Sequence, residues 1–545
     1  MNHLSINLTR SLLWSLLLCG LSSTAFGASQ SEIQKYYRIE TIKLPAGEHS
    51  VDAVAFMPDG RLVCCLSFRR IYFYEPKADK WSLFAKGLHQ PLGIWPISNS
   101  EIYVAQRPEL TLVRDTNGDG KADHYKTVSD FFGMSGNYAE WAFGPVADAK
   151  GSLYFSLGTG SNGGGLLTDE VRGKYSRVGH EGRMNSSVPY RGWVMKVTPD
   201  GKTIPWASGL RQPNGLGFDL NGNLFTPDNQ GDWIGTSKLF HIREGGFYGH
   251  AHSLVWHPDF VKRHPFKIPV AELDRLRTRA AVVFPHGEMA NSPSQPLCDT
   301  TQGRFGPFAG QMFIGEMNHK RIMRVMLEEV DGKIQGACTP FFDNAGLELG
   351  SNRLAFDPDG RSLWVGHTKY GFWTGASALQ RITWTGKTPF EVQEIHLTKT
   401  GFDLLFTKPV NPATASRPQA YTVKRYTYNY HEAYGSKKYD DTAVKITAVS
   451  VHKDRRRVSL TLEELKAWHV HDLRFKGIVS ADDGSPVVNP WLVYNVNRLV
   501  ANTPPPPAPR KNKQPGRKTP RVPAGGVKSI GGPQSFGVSS EPIRD

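Results

Sequence analysis

Leu354-Ala355-Phe356-Asp357-Pro358-Asp359-Gly360-Arg361-Ser362-Leu363-Trp364-Val365 reads as two apolar strands joined by an Asp-Gly turn. The apolar runs fit strands packed on a core, and glycine supplies the positive φ that such a turn demands. The same phrase stands near the other end of the chain, at Ala53-Val54-Ala55-Phe56-Met57-Pro58-Asp59-Gly60-Arg61-Leu62-Val63. Leu216-Gly217-Phe218-Asp219-Leu220-Asn221-Gly222-Asn223-Leu224-Phe225 is a third copy. Looser copies start near Gly93-Ile94-Trp95, Trp141-Ala142-Phe143 and Gly306-Pro307-Phe308. A four-stranded propeller blade needs about 40–50 residues, so these intervals hold one blade each, with room for inserted loops. A single unit cannot bury both of its faces, whereas six arranged radially bury face against face. The ring closes if the early strand Tyr37-Arg38-Ile39-Glu40-Thr41-Ile42 completes the last blade. The expected fold is therefore all-β, a six-bladed β-propeller over residues 35–386.

After Trp384 the pattern changes. Residues 388–500 carry alternating strands such as Phe402-Asp403-Leu404-Leu405-Phe406 and Val458-Ser459-Leu460-Thr461-Leu462, separated by polar turns. They read as a small β-sandwich of the fibronectin or immunoglobulin type with a structural or adhesive role. Residues 501–545 begin Thr503-Pro504-Pro505-Pro506-Pro507, lack hydrophobic periodicity and read as a disordered basic tail.

The first 27 residues read as a secretory signal peptide. Arg10 precedes an apolar run, Leu12 to Leu18, too short to span a bilayer, and Ala25-Phe26-Gly27 offers small residues to a signal peptidase. Cys19 offers the alternative of a lipoprotein acceptor. The expected location is secreted or periplasmic, with no transmembrane segment in the mature chain. Cys64 and Cys65 read as small buried hydrophobes, and a Cys298–Cys338 bridge is left open. The net charge is +15, but residues 501–545 hold eight Lys or Arg against Glu541 and Asp545, which places +6 in the tail. That distribution in an exported chain suits anionic polymers or an acidic partner and argues against nucleic acid.

The repeat locates the functional face. Residues just before each inner strand and just after the next one share one end of the central channel, and the Asp-Gly turns lie at the other. The polar residues at the shared end are Asp52, Gln90, Arg107, Tyr138, Glu140, Asn162, Arg211, Gln212, Asn214, Asp228, Asn229, Gln230, Asp232, Glu316, Asn318, Lys320, Asn352, His367 and Lys369. The fourth blade is densest, with Arg211-Gln212-Pro213-Asn214-Gly215 facing Pro227-Asp228-Asn229-Gln230-Gly231-Asp232. Six loop ends around one pocket make this set a binding-site candidate.

Arg211-Gln212-Pro213-Asn214-Gly215-Leu216, followed by Gly245-Gly246-Phe247-Tyr248-Gly249, resembles the Arg-Asn-Pro-Gln-Gly and Gly-Gly-Asn-Tyr-Gly signatures of soluble quinoprotein glucose and sorbosone dehydrogenases. Phe305-Gly306-Pro307-Phe308-Ala309-Gly310 and Thr385-Gly386-Lys387-Thr388-Pro389-Phe390-Glu391 resemble an exported bacterial branch labelled membrane-bound dehydrogenase. Members of that branch often carry a c-type haem domain, and this chain has no Cys-x-x-Cys-His. The resemblance implies a dehydrogenase of a sugar or related alcohol that uses pyrroloquinoline quinone and a separate acceptor such as a cytochrome c. It implies that Arg211 stabilises the reduced quinone and that Gln212, Asn214, Asp228, Asn229, Gln230, Asp232, Asn318 and Lys369 surround it. His250, His286 and His367 are the candidates for the general base. Gly350 and Asn352 stand where the family has arginines, and Asn318 where it has a lysine.

Two alternatives share the channel. A lactonase-like hydrolase would hold a divalent metal with Asn214, Asp228 and either Glu140 or Glu316. A carbohydrate-binding propeller would do no chemistry at all. A separate metal expectation is calcium in Asp115-Thr116-Asn117-Gly118-Asp119-Gly120-Lys121-Ala122-Asp123. Asp115, Asn117, Asp119 and Asp123 would supply side-chain oxygens and Lys121 its carbonyl, with glycine at the sharp turn.

Overall fold

The computed structural model describes residues 32–162, 172–260, 262–370 and 375–510. The proposed signal peptide, residues 1–27, and the tail beyond residue 510 lie outside the described residues.

Among the described residues, six blades of four antiparallel strands follow one another along the chain, five as separate sheets and the fifth as half of a larger one. Blade 1 is Val51–Phe56, Leu62–Leu66, Arg70–Glu75 and Lys80–Ala85. Blade 2 runs from Gly93–Pro96 to His124–Ser129, and blade 3 from Ala142–Ala147 to Thr203–Ser208. Blade 4 runs from Gly217–Phe218 to Val282–Phe284, and blade 5 from Pro293–Cys298 to Lys333–Asp343. Blade 6 is Ser351–Phe356, Ser362–His367 and Ala378–Trp384, completed on its outside by Tyr37–Ile42. That last pairing, in register from Tyr37↔Trp384 to Ile42↔Leu379, staples the start of the ring to its end.

The turns explain why the repeat has its sequence. Asp357 Oδ1 accepts from the amides of Arg361 and Ser362 at 2.9 and 3.1 Å, and Gly360 sits at φ 69°. Asp219 repeats the arrangement with Asn221 and Asn223, and Asp148 with Lys150 and Ser152. Each aspartate satisfies amides that the tight turn would leave open. The fifth repeat departs from expectation: Gly306–Phe308 lies in the connection between the first two strands of its blade.

The sandwich is built differently from an appended module. One layer is Val392–Leu397, Gly401–Phe406, Arg457–Leu462 and Ile446–Val451. The other is Tyr421–Tyr428, Lys438–Val444, His469–Phe475 and Trp491–Val496, and its last strand pairs with the outer strand of blade 5, Ala337 opposite Tyr494. Blade 5 and this layer thus form one eight-stranded sheet. The last two strands of blade 5 are long, Arg321–Val330 and Lys333–Asp343, and they send Met326, Val330 and Ala337 into the sandwich core beside Phe402, Leu404 and Tyr494.

His396 on the other layer bridges the same joint, 3.2 Å from Glu328 of blade 5 and 3.0 Å from Glu394. Those two carboxylates raise its pKa to about 10. A raised histidine stabilises the fold fully below its unfolded value near 6.5 and loses that contribution as pH climbs through the folded value. We expect the sandwich to loosen between about pH 6.5 and 10 and His396→Gln to flatten that slope, read as melting temperature against pH. Identical slopes would remove the bridge from the account.

Cys298 and Cys338 are both buried free thiols, so no bridge joins them. The proline run is not loose where it is described: Pro504 O accepts from Trp468 Nε1 at 2.8 Å, and Arg510 pairs with Asp440 at 2.6 Å. Among the described residues, no helix is long and apolar enough to cross a membrane.

Candidate ligand site at the channel mouth

The last residue of the second strand in a blade, or its neighbour, anchors the loop that enters that blade. Ser67 Oγ accepts from the amide of His49, and Gln106 Oε1 from that of His89, at 2.9 and 2.7 Å. Asp228 accepts from the amides of Arg211 and Gln212 at 2.7 and 2.8 Å. Glu316 accepts from Asn291, Ser292 and Asn318 at 3.0, 2.6 and 2.8 Å, and also from His319. Burial pushes Asp228 up to about 6 and Glu316 to about 7, against the pull of these amides. These carboxylates fix the backbone of the mouth from behind.

Above this frame lies a cavity of about 500 Å³. Phe68, Tyr138, Trp141, Phe143, Tyr370 and Tyr434 wall it, with Arg183, Arg211, Gln212, Asn214, Asn229 and Asn352 among its polar lining. Five of these rings are linked through Tyr370 and Trp141: Tyr370 stands edge-on to both Phe68 and Trp141, at 5.6 and 5.5 Å, and Trp141 to Tyr138 and Phe143.

Arg211 enters through a gap that only glycine leaves. A Cβ on Gly231 would stand 2.0 Å from Arg211 Nε. The residue is 5% exposed, and its Nε has no hydrogen-bond partner. Burial lowers its pKa, with Asp232 opposing. Gln212 donates to the carbonyls of Ala139 and Thr159 at 3.0 and 2.8 Å, leaving its Oε1 unpartnered.

Beneath the floor lies Arg353, fully buried and pulled down to about 9 by desolvation. It donates to Leu92 O and Asn214 Oδ1, both at 2.9 Å, and to Asn352 Oδ1 at 2.6 Å. Asn214 Nδ2 in turn donates to Asn352 Oδ1 at 3.0 Å. Arg353 therefore locks the two amides that close the bottom of the cavity.

Of the residues expected here, Tyr138, Arg211, Gln212, Asn214, Asn229 and Asn352 line the cavity. Asp228 does not, because both its oxygens face loop amides. Asp232 stands beside the lining, 3.9 Å from Arg211 Nε. Gln230 packs against Gly435, the amide of Asn318 is held by Glu316, and Lys369 is exposed outside the lining. None of the three candidate bases lines the cavity. His250 and His367 are fully buried and kept neutral by burial, His250 well below its usual range and His367 at about 4. His286 is likewise lowered by burial.

The candidate metal ligands are engaged with the backbone of their own loops. Glu140 is held by the amide and hydroxyl of Ser135, at 2.7 and 2.6 Å, so the three lactonase carboxylates each face their own loop. In the Asp115–Asp123 segment, Asp115 accepts from Gly118 and Gly120, Asp119 from Lys121, and Asp123 from Thr116. Asn117 Oδ1 accepts from the amide of Asp119. Among the described residues, no three His, Cys, Asp or Glu side chains gather as a metal-holding group.

Sequence reasoning missed Phe68, Trp141, Tyr370, Arg183 and Tyr434. The first three occupy the same loop ends as the polar residues and were open to detection there. Arg183 comes from an insertion in blade 3 and Tyr434 from the sandwich, outside the repeat's register.

A domain of unknown function, DUF7133, matches residues 75–334. None of the curated proteins matches the chain. Among solved structures, the chain is similar to the quinone-bound aldose sugar dehydrogenase of Streptomyces coelicolor, at 15% identity and a TM-score of 0.42, covering 64% of this chain and 98% of that one. The soluble aldose sugar dehydrogenase of Escherichia coli, in its apo form, gives 13% and 0.43, with 64% and 100% covered. The quinone domain of pyranose dehydrogenase from Coprinopsis cinerea gives 12% and 0.44, with 64% and 95% covered.

Proposed function

We propose that the protein binds a small carbohydrate or related polyol at the mouth of its propeller channel. One observation carries this reading. The cavity is walled by aromatic rings, and its rim leaves Arg211 Nε, Gln212 Oε1 and Asn229 Oδ1 buried without partners. Rings pack on the apolar faces of a sugar, and buried polar atoms without partners call for hydroxyls to pair with.

The second reading is oxidation of that ligand with pyrroloquinoline quinone, and the donor set favours it. The described lining carries guanidiniums and carboxamides without a carboxylate, which suits a planar anionic group. Arg211 would hold it, with Gln212 and Asn229 nearby; when bound, the quinone would supply a hydride acceptor. No His, Asp, Glu or Lys is among the described lining residues, so this reading needs a proton acceptor from elsewhere. A separate electron acceptor such as a cytochrome c, and export directed by residues 1–27, belong to the same proposal.

Titration of the purified protein with neutral sugars, polyols and the quinone, followed by the fluorescence of Trp141 at the cavity wall, tests the site. Saturable quenching by a sugar supports binding, and dye-linked turnover would promote the second reading. A flat response to every compound removes both.

Calcium in the Asp115–Asp123 loop is supported by ligand spacing alone. If the ion is held there, chelator should lower the melting temperature, and Asp119→Ala should abolish that sensitivity. A curve indifferent to chelator leaves a hairpin held by its own carboxylates.

A further inference from the structure

Tyr434 belongs to the sandwich, yet it lines the propeller's cavity. Its loop joins Tyr421–Tyr428 to Lys438–Val444 and is pinned to blade 4 at several points. Tyr430 Oη donates to Gly249 O at 2.6 Å, Gly435 N to Gly231 O at 3.0 Å and Ser436 N to Gly235 O at 2.8 Å. A backbone bridge pairs Tyr434 itself with Asp232. Two glycines permit the approach: a Cβ on Gly235 would stand 2.8 Å from Asn429 O, and one on Gly435 would stand 2.4 Å from Gln230 Nε2.

The Tyr434 ring faces two cations, with the guanidinium carbons of Arg183 and Arg211 at 4.5 and 5.6 Å from its centroid. The carboxylate near both is Asp232, whose Oδ2 is 3.5 Å from Arg183 and 3.9 Å from Arg211 and makes no hydrogen bond. Two guanidiniums thus share one loosely placed carboxylate. A neutral sugar entering here would offer the cations only uncharged hydroxyls, whereas a ligand carboxylate would accept the stronger charge-assisted hydrogen bonds from them. The ring is 50% exposed and offers its remaining surface to the apolar face of the same ligand.

We infer that the site selects acidic sugars, those bearing a carboxylate as a uronic acid does, and that Tyr434 of the sandwich is the specificity residue that completes it. The inference rests on the carbohydrate reading above and gives the sandwich a part in recognition.

The test compares glucuronate with glucose by isothermal titration at low salt, on the full chain. Glucuronate should bind at least about tenfold tighter, as one charge-assisted pair allows. Tyr434→Ala should weaken glucuronate by about tenfold and Tyr434→Phe by no more than about twofold, since the ring rather than the hydroxyl carries the contact. Arg183→Ala, whose side chain is 54% exposed, should narrow the preference for the acid without disturbing the fold. Equal binding of both sugars overturns acid selection and leaves the carbohydrate reading standing. An unchanged preference in Tyr434→Ala overturns the role of the sandwich, and an unchanged preference in Arg183→Ala overturns pairing of the acid with that guanidinium. Binding of neither sugar defeats the inference and its parent together.

Discussion

Glu316→Ala should lower stability by about 3–5 kcal/mol, because its carboxylate accepts from four backbone amides and truncation would orphan them in the interior. Leaving one buried donor unpaired costs about 1–3 kcal/mol, and four neighbours will not add in full. Glu316→Gln keeps one acceptor oxygen and turns a donor toward the other amides, so it should fall between the two. The midpoint of chemical denaturation measures the loss. Hydrogen exchange at Asn291, Ser292 and Asn318 locates it, since their amides should open first. A denaturation curve superimposed on wild type would show that the loops at the mouth do not depend on this clamp.

Arg211→Ala should cost the site about a hundredfold in affinity while leaving the fold intact. The backbone of Arg211 is held by Asp228 and its carbonyl by Thr159, so truncation removes the guanidinium without releasing the loop. Arg211→Lys should recover part of the loss, since an ammonium keeps the charge but lacks the planar fork. If oxidation through a quinone is the activity, dye-linked turnover should fall about 10²–10³-fold in Arg211→Ala, the scale of losing one preorganised donor. Gly231→Ala offers an independent check, because its new Cβ would stand 2.0 Å from Arg211 Nε and push the side chain aside. It should reproduce much of the Arg211→Ala defect, and ligand binding unaffected by both changes would move the site elsewhere.

The ring was legible because its turns have a chemical requirement. Asp357 and Asp219 each serve two amides of a tight turn, just ahead of the Asp359-Gly360 and Asn221-Gly222 phrases that mark the reversal. The channel end was legible for the same reason, and Arg211, Gln212, Asn214 and Asn229 lie where the repeat put them. What the repeat could not sort was direction. Asp228, Glu316 and His367 end their strands, and a strand end can aim its side chain at the channel or back under a loop. All three are buried behind the mouth, where a carboxylate holds amides in the first two cases. Loop-end polarity also leaves out Trp141 and Tyr370, two of the six aromatic residues that line the cavity. Tyr434 was beyond reach, since nothing in its local sequence records that a distant loop docks on blade 4.

The eight-stranded sheet has a consequence for where this chain can be cut. Removing everything after residue 386 would strip Trp491–Val496 from the outer strand of blade 5 and leave its amides and carbonyls bare from Gly336 to Cys338. The same cut would expose Met326, Val330 and Ala337, which now face the sandwich core. An unpaired edge beside an apolar face is a template for another chain, so a free-standing ring would tend to stick to copies of itself. The boundary between the two halves therefore leaves no hinge and no natural breakpoint.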